Sequence, residues 1–572
     1  MTVSIRDHFT HKNSSNEQIT TGSTENRSRK IQLALQYVFD DLEVQEMSKT
    51  APGREVTSSF TPPHKVSRLK VGAVGIMAVL FMALSGAAPI TAMTGNVPIA
   101  IGYGNGIHAP GGFVFATIVL VLFTIGYTAM TRHITATGAF YGFVSHGLGQ
   151  VAGMGAGMMA TLAYIVFEGS LVGIFASFAK STVLLFGGPD ISWIFYALVC
   201  IAIVATLGYF DIEISGKVLA VFVTSELVIL LAMSLGVLFH GGGPNGLQPG
   251  DLNPLTGFTP APSDAKAGIV GAAAIGLFFA FWSWVGFETT AVYAEESKEP
   301  KKIIPKATII AVVGLGFFYT FVSWMAISGN GTNQAIAISR GSTGNSFDVF
   351  YGVTAHYVGS WAKNIYEVLV VTSSFACALA FHNTASRYIY SFGREGLSDK
   401  LHKTLGSTHD KHKSPHVASI VQSIITLAIT LGFYFLEKPS KAAPDVAYFF
   451  QYGLLAIMGT MALLIVMALS SISVIWYFHV QNRHPETRSW WRTFAAPLIG
   501  ALGMLYVVYL LFTNLSFAAG AATTSPVYQV TPYLVIGTGI LGAVIALFVK
   551  KLSPEKFKRI GRIVMADSHE RN

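Results

Sequence analysis

AGIVGAAAIGLFFAFWSWVGFETTAVYAEESKEPKKIIPKA, residues Ala267 to Ala307, is the stretch that decides the fold. It opens as an uncharged apolar run long enough for about one bilayer crossing. Between Phe281 and Glu288 it meets Trp, Ser and Gly and then a carboxylate, and it ends in a lysine-rich loop. This is the pattern of a membrane helix interrupted halfway. Backbone that leaves the helix at membrane depth carries unpaired amides and carbonyls, which lipid does not satisfy, so it is tolerated only where it faces a cavity or a ligand. The interruption is therefore the first candidate binding site.

The rest of the composition agrees with a membrane setting. Of 572 residues, 52% are hydrophobic and only 12% charged, with a mean hydropathy of +0.52, whereas a soluble domain carries roughly 25% charged residues. Cys200 and Cys377 both fall in apolar runs and read as small core hydrophobes rather than a disulfide framework. A net charge of +8 raises the question of a nucleic-acid partner. The placement of the charges answers it in favour of membrane topology, and no nucleic acid is needed.

From Lys70 onward twelve apolar runs reach spanning length, centred near Ser85, Leu120, Ala163, Val199, Val228, Ala280, Phe317, Phe375, Ile425, Gly459, Tyr506 and Gly539. Gly138 to Gly149 reads either as loop or as a short helix before the third span. Lys65, Arg68, Arg132, Lys217, the lysines from Lys298 to Lys306, Arg394, Lys400, Lys403, Lys411, Lys413, Arg483, Arg488 and Arg492 all fall on one side of these runs. The other side holds only Lys266, Arg340, Lys438 and Lys441. The positive-inside rule then puts both termini in the cytoplasm, with the chain multi-pass in the cell membrane. The expected organisation is a cytoplasmic tail at 1–64 without a signal peptide, a twelve-helix domain at 65–550 and a second cytoplasmic tail at 551–572. Ile31, Leu35, Val38, Phe39 and Leu42 recur near helical spacing, so the first tail is expected to hold one amphipathic helix at 30–47.

The first run is interrupted as well. Val71 to Tyr103 is too long for a straight crossing and contains Ser85-Gly86-Ala87-Ala88-Pro89, where Pro89 lacks an amide hydrogen and Gly86 lowers the cost of leaving helical geometry. Taken alone this is a proline kink. Paired with the sixth run, it is the sequence signature of an inverted-repeat secondary transporter, with substrate held between two broken helices near the midplane.

The residues also resemble a known family. Phe281, Gly286-Phe287-Glu288, Glu296, Pro300 and Pro305-Lys306-Ala307 are similar to the sixth helix and following loop of the amino acid/polyamine/organocation (APC) superfamily. NTASRYIYSFGREGLSDKLHK, Asn383 to Lys403, is similar to the end of its eighth helix, and YFFQYGLLAIMGTMALLIVMALSSISVIWYF to its tenth. The resemblance implies an all-α leucine-transporter-type fold, twelve transmembrane helices with a 5+5 inverted repeat and broken helices 1 and 6. It also implies that a ligand carboxylate meets amides of the first break and its amine meets carbonyls of the sixth. One departure is visible: the family's first break often has a Gly-Ser-Gly core, and this chain has Ser85, Gly86, Ala87 and Ala88 there.

Ionisable groups inside the runs are costly and so are functional candidates. Glu226, mid-way along the fifth run, takes by resemblance the place where many amino-acid permeases carry a lysine. Burial disfavours the charged form of a carboxylic acid, which suits a proton carrier; a structural Glu bonded to a neighbouring hydroxyl is the alternative. Glu288, just past the sixth break, is expected either to fix that break or to take part in coupling. Glu168 lies one turn after Tyr164, so both are expected on one face, contributing either to the substrate cavity or to an interhelical hydrogen bond. Phe281, Trp282, Ser283 and Gly286 complete the substrate-binding candidates, the aromatics serving to close over a ligand or attract an ammonium. Ser373 and Ser374 are candidate sodium ligands, against the commoner habit of such hydroxyls of bonding their own backbone.

The function expected is a secondary active transporter of the amino-acid permease type, moving an amino acid or related amine by alternating access with proton coupling, and using no cofactor. A polyamine or amino-alcohol carrier or exchanger, and a non-transporting membrane sensor of the same fold, are the alternatives. An enzyme is not expected, because no nucleophile–base pair, HExxH helix or phosphate loop occurs.

Overall fold

Pro89 governs how the first apolar run is wound. A residue before proline is pushed out of right-handed helical geometry, while proline itself is well placed as the first residue of a new helix. In the computed structural model, Ala88 sits at φ 43° and ψ 71°, ending one helix and starting another. The described residues are 75–134, 140–210, 216–264, 271–288, 290, 297–341, 344–394, 398–409, 411–412, 414–439, 445–513 and 525–561. The amphipathic helix expected at 30–47, Glu296 of the sixth-helix motif and most of the two expected tails lie outside them.

In chain order the helices are α1 Ile76–Ala87, α2 Pro89–Ile99, α3 Ala109–Thr131, α4 Phe140–Leu148, α5 Gln150–Leu185, α6 Trp193–Phe210, α7 Gly216–Phe239, α8 Ala273–Trp282 and α9 Pro300–Asn330. They continue as α10 Thr332–Ser339, α11 Asp348–Tyr357, α12 Ser360–Arg394, α13 Asp399–Lys403, α14 His416–Leu436, α15 Gly453–Ile475, α16 Ala496–Thr513, α17 Pro526–Leu552 and α18 Pro554–Arg559. Among the described residues there is no strand, as expected where lipid forces each segment to pair its own backbone. Among the described residues, eleven helices are long and apolar enough to cross a membrane. Eleven of the twelve expected centres fall in them. The other, near Ala280, falls in α8, which is only 10 residues long because the chain leaves the helix after Trp282. The short helix entertained at Gly138 to Gly149 is α4.

Burial separates inner from outer helices. The spans Gln150–Leu185 and Ala447–Val480 are 83% buried along their most apolar windows, against 28% for His416–Leu436 and 22% for Pro526–Leu552. The outer helices turn large apolar side chains outward, among them Phe435, Tyr533 and Phe548. That is the surface a chain presents when lipid tails, rather than water, surround it.

The ends of the first and sixth segments away from the breaks are strapped together. Ala272 donates its amide to the Tyr103 carbonyl at 2.9 Å and Ala261 to that of Gly104 at 2.8 Å. From the end of α10, the Arg340 guanidinium donates to the carbonyls of Gly102 at 2.7 Å and Pro262 at 2.5 Å. Glycine permits the approach: a Cβ on Gly104 would stand 2.5 Å from the Gly276 nitrogen.

Candidate functional site

The first break falls inside the Ser85-Gly86-Ala87-Ala88-Pro89 stretch, at Ala88. Gly86 stays inside α1, and Ala88 carries the left-handed conformation, which costs a residue with a Cβ roughly 1–2 kcal/mol. Its own amide still bonds the Leu84 carbonyl at 2.8 Å, so α1 ends fully wound. The carbonyls that emerge find weak donors: the Cys377 thiol to Gly86 at 3.0 Å and the Tyr319 hydroxyl to Ala87 at 3.4 Å. On the other side, the first amides of α2 have no intrahelical acceptor. Pro89 has none to offer, and that of Ile90 donates to Glu226 Oε2 at 3.3 Å.

The sixth segment unwinds through tightened turns. Trp284, Val285 and Phe287 each bond a carbonyl three residues back, at 3.1 Å, until Gly286 reaches φ 120°. No side chain is comfortable there. The Glu288 carboxylate then folds back on the break, accepting from the Gly286 amide at 3.0 Å and from the Tyr164 hydroxyl at 2.8 Å. The two breaks touch main chain to main chain: a Cβ on Gly286 would meet the Gly86 carbonyl carbon at 2.5 Å and the Ala87 nitrogen at 2.6 Å. Gly286 is thus needed for closeness as well as for its backbone freedom, whereas a Cβ on Gly86 would stand 3.4 Å from its nearest neighbour.

Beside this crossing lies a cavity of about 250 Å³. Gly86, Ala87, Ala88, Thr91, Ala92 and Asn96 line it from the first segment, Trp282 and Val285 from the sixth, Leu171 from α5, Cys377 and Phe381 from α12, and Tyr452 from the turn before α15. Its polar wall is backed by a continuous chain of hydrogen bonds. Trp282 Nε1 donates to the Tyr452 hydroxyl at 3.0 Å, Tyr452 donates to Asn96 Oδ1, Asn96 Nδ2 donates to Ser283 Oγ at 2.8 Å, and Ser283 donates to the Phe279 carbonyl at 2.9 Å. The Trp282 ring also stacks on Phe167, centroids 4.4 Å apart.

Of the residues expected to bind substrate, Gly86, Ala87, Ala88 and Trp282 line the cavity. Ser283 and Gly286 stand just behind the wall. Ser85 is buried and does not line it. Phe281 packs edge-on against Phe115 of α3, centroids 6.4 Å apart, away from the cavity. Tyr164 and Glu168 diverge. Tyr164 reaches Glu288, while Glu168 bonds His382 Nδ1 at 3.1 Å and the Gln422 amide, with His382 Nε2 bonded to Ser419 at 2.8 Å. This buried cluster ties α5, α12 and α14 together outside the cavity. Ser374 bonds the Val371 carbonyl at 3.0 Å within its own helix, whereas Ser373 lies against the Glu226 carboxylate. Sequence reasoning passed over Thr91, Asn96, Cys377, Phe381 and Tyr452. Cys377 and Phe381 are four apart on one helix face, and Thr91 follows the break by one turn, so spacing from the break was the signal available.

A family model described as amino acid permease matches residues 74–541. The chain belongs to the amino acid permease family. The permease is 23% identical over 454 residues to the branched-chain amino acid permease of Bacillus subtilis, covering 74% of this chain and 83% of that relative. It is 24% identical over 428 residues to the probable GABA permease of Pseudomonas aeruginosa, covering 71% and 82%. Both breaks, the cavity and Glu226 fall inside the matched region of the permease.

Proposed function

We propose that this permease is a proton-coupled secondary active transporter that moves an amino acid across the cell membrane by alternating access around its first and sixth helices. On this reading both termini are cytoplasmic, the segment containing α8 is the sixth of twelve spans, and the helices form two inverted five-helix repeats. The observation that carries it is the crossing of two broken helices beside a cavity, with the Glu226 carboxylate seated on the start of α2. A half-helix start favours negative charge, and a buried carboxylic acid there exchanges a proton for the same favourable contact. Glu288 serves as a positioning residue, holding the sixth break through Gly286 and Tyr164. Relatives named for branched-chain amino acids and GABA support amino acids ahead of polyamines.

The test is uptake of labelled amino acids into proteoliposomes with an acidic exterior. Accumulation that a protonophore abolishes is the expected result. Binding without accumulation would replace the transporter by a membrane sensor of the same architecture.

A further inference from the structure

The short helix α4 lies below the sixth break and is buried on most of its surface, Phe140, Tyr141, Phe143, Val144 and Ser145 included. On the side of the break, the Tyr127 ring packs on Phe140 and Phe143 with centroids 5.7 and 5.2 Å apart, and the Tyr127 hydroxyl donates to the Glu288 carbonyl at 3.4 Å. One aromatic layer therefore separates α4 from the break. Beside it, the Gln481 side-chain amide donates to the Gly147 carbonyl at 2.7 Å, and a Cβ on Gly147 would stand 2.5 Å from that of Ser473 on α15. With 9 residues α4 is shorter than the roughly 12–15 at which a helix begins to hold itself, so what packs on it decides where it stays.

The face of α4 turned away from the break is covered by α18 and the two residues after it. Ile560 is fully buried against Tyr141 of α4, Met154 of α5 and Ala546 of α17, and Phe392 near the end of α12 packs on the same cluster. Gly561, at φ 66°, ends against Ser145, where a Cβ would stand 2.1 Å from the hydroxyl oxygen. Only glycine combines that approach with that conformation. The Ser145 hydroxyl is buried and makes no hydrogen bond while Gly561 covers it. Lys556 Nζ reaches Asp399 of α13 at 3.5 Å, an exposed pair that adds little by itself. One apolar side chain and one close glycine contact thus hold a segment that is otherwise turned to water, which is the profile of an element that opens before the bundle does.

We propose that the segment from Pro554 to Gly561 is a clasp that holds α4 against the base of the sixth break, and that its release opens the cavity toward the face carrying α18. The inference rests on the transport reading, which requires an opening on that face and leaves unstated what restrains it. The other covers of α4 belong to membrane spans or to the loops that join them. The clasp is a separate piece of chain, and it can leave without unwinding a span. Its departure also lets water reach the Ser145 hydroxyl, which lowers the cost of the open state.

The experiment uses the full-length chain carrying Cys200→Ser, which leaves Cys377, on the cavity wall, as its single thiol. A membrane-impermeant maleimide is applied to sealed vesicles of either orientation, and the rate of Cys377 labelling is measured from each face. Ile560→Ala and Gly561→Val should each raise the rate from the face carrying α18 at least about tenfold, and leave the rate from the other face unchanged. Lys556→Glu should raise it roughly twofold to fivefold, and adding Asp399→Lys should return it to the starting value. Lys556 is 37% exposed, so its charge reversal carries the test where Ile560→Ala lowers the yield of folded protein. Unchanged labelling in these variants would overturn the clasp. An equal rise from both faces would overturn it too, by showing that the segment only stabilises the bundle. Failure of the wild type to accumulate any amino acid under a proton gradient would instead overturn the transport reading, and the labelling result would stand apart from it.

Discussion

Glu226→Gln separates the charge of this side chain from its shape. Glu226 Oε2 lies 3.3 Å from the Ile90 amide, and glutamine offers a carbonyl oxygen at the same place, so the start of α2 keeps its acceptor. A hydrogen bond to a charged group contributes about 1.5–3 kcal/mol and to a neutral one about 0.5–1.5 kcal/mol, so the local loss is on the order of 1 kcal/mol and the fold persists. The proton is what disappears. With one proton moved per substrate, each pH unit of gradient contributes about 1.36 kcal/mol, which is about tenfold accumulation at equilibrium. In proteoliposomes with the outside one unit more acidic, wild type should concentrate substrate about tenfold. The variant should only equilibrate, while exchange of preloaded for external substrate continues. Glu226→Ala is the structural control: it strands the Ile90 amide without an acceptor, a loss of about 1–3 kcal/mol visible in melting. Tenfold concentration by Glu226→Gln would refute the reasoning outright, because the proton would then be travelling elsewhere.

Other outcomes follow from the same geometry. Gly286→Ala should abolish transport and destabilise by about 1–3 kcal/mol or more, since its Cβ would stand 2.5 Å from the Gly86 carbonyl carbon at φ 120°. Gly86→Ala, whose nearest neighbour would be 3.4 Å away, should be far milder in melting and uptake. His382→Ala removes one hydrogen-bond partner from buried Glu168 and should lower stability by about 1–3 kcal/mol, while substrate affinity in the surviving folded protein stays unchanged, because neither residue lines the cavity. Outside the membrane, His133 stacks on His484 with centroids 4.0 Å apart, and burial, then His484, holds its pKa below the usual 6.5. The unfolded chain therefore takes up this proton first as pH falls. Stability is present above 6.5 and lost as pH falls through the lowered folded value, and a His133→Gln variant should flatten that part of the melting curve against pH.

Much of this architecture is legible in the order of residues. Apolar length and the scarcity of charge dictate membrane helices, because lipid leaves the backbone no other way to pair. Pro89 after four small residues, and Gly286 before Phe287-Glu288, mark both breaks: proline removes a donor and bars the helix before it, and glycine admits a conformation that a Cβ forbids. Glu226, Glu288 and Trp282 stand out for the same reason: a carboxylate or indole in an apolar run has to be compensated.

What tertiary packing decided is where each of these groups finds its compensation. Tyr164 and Glu168 share a helix face by spacing, yet one meets Glu288 on the sixth segment and the other His382 on α12, because two different neighbours cross that face one turn apart. Within the first break it is Ala88 that leaves the helix, and it is the missing Cβ of Gly286, far along the chain, that lets the two main chains meet. Local sequence determines where a backbone must bend and which side chains cannot stay bare in lipid; only the crossing of helices far apart in the chain determines which polar atoms remain free to hold something else.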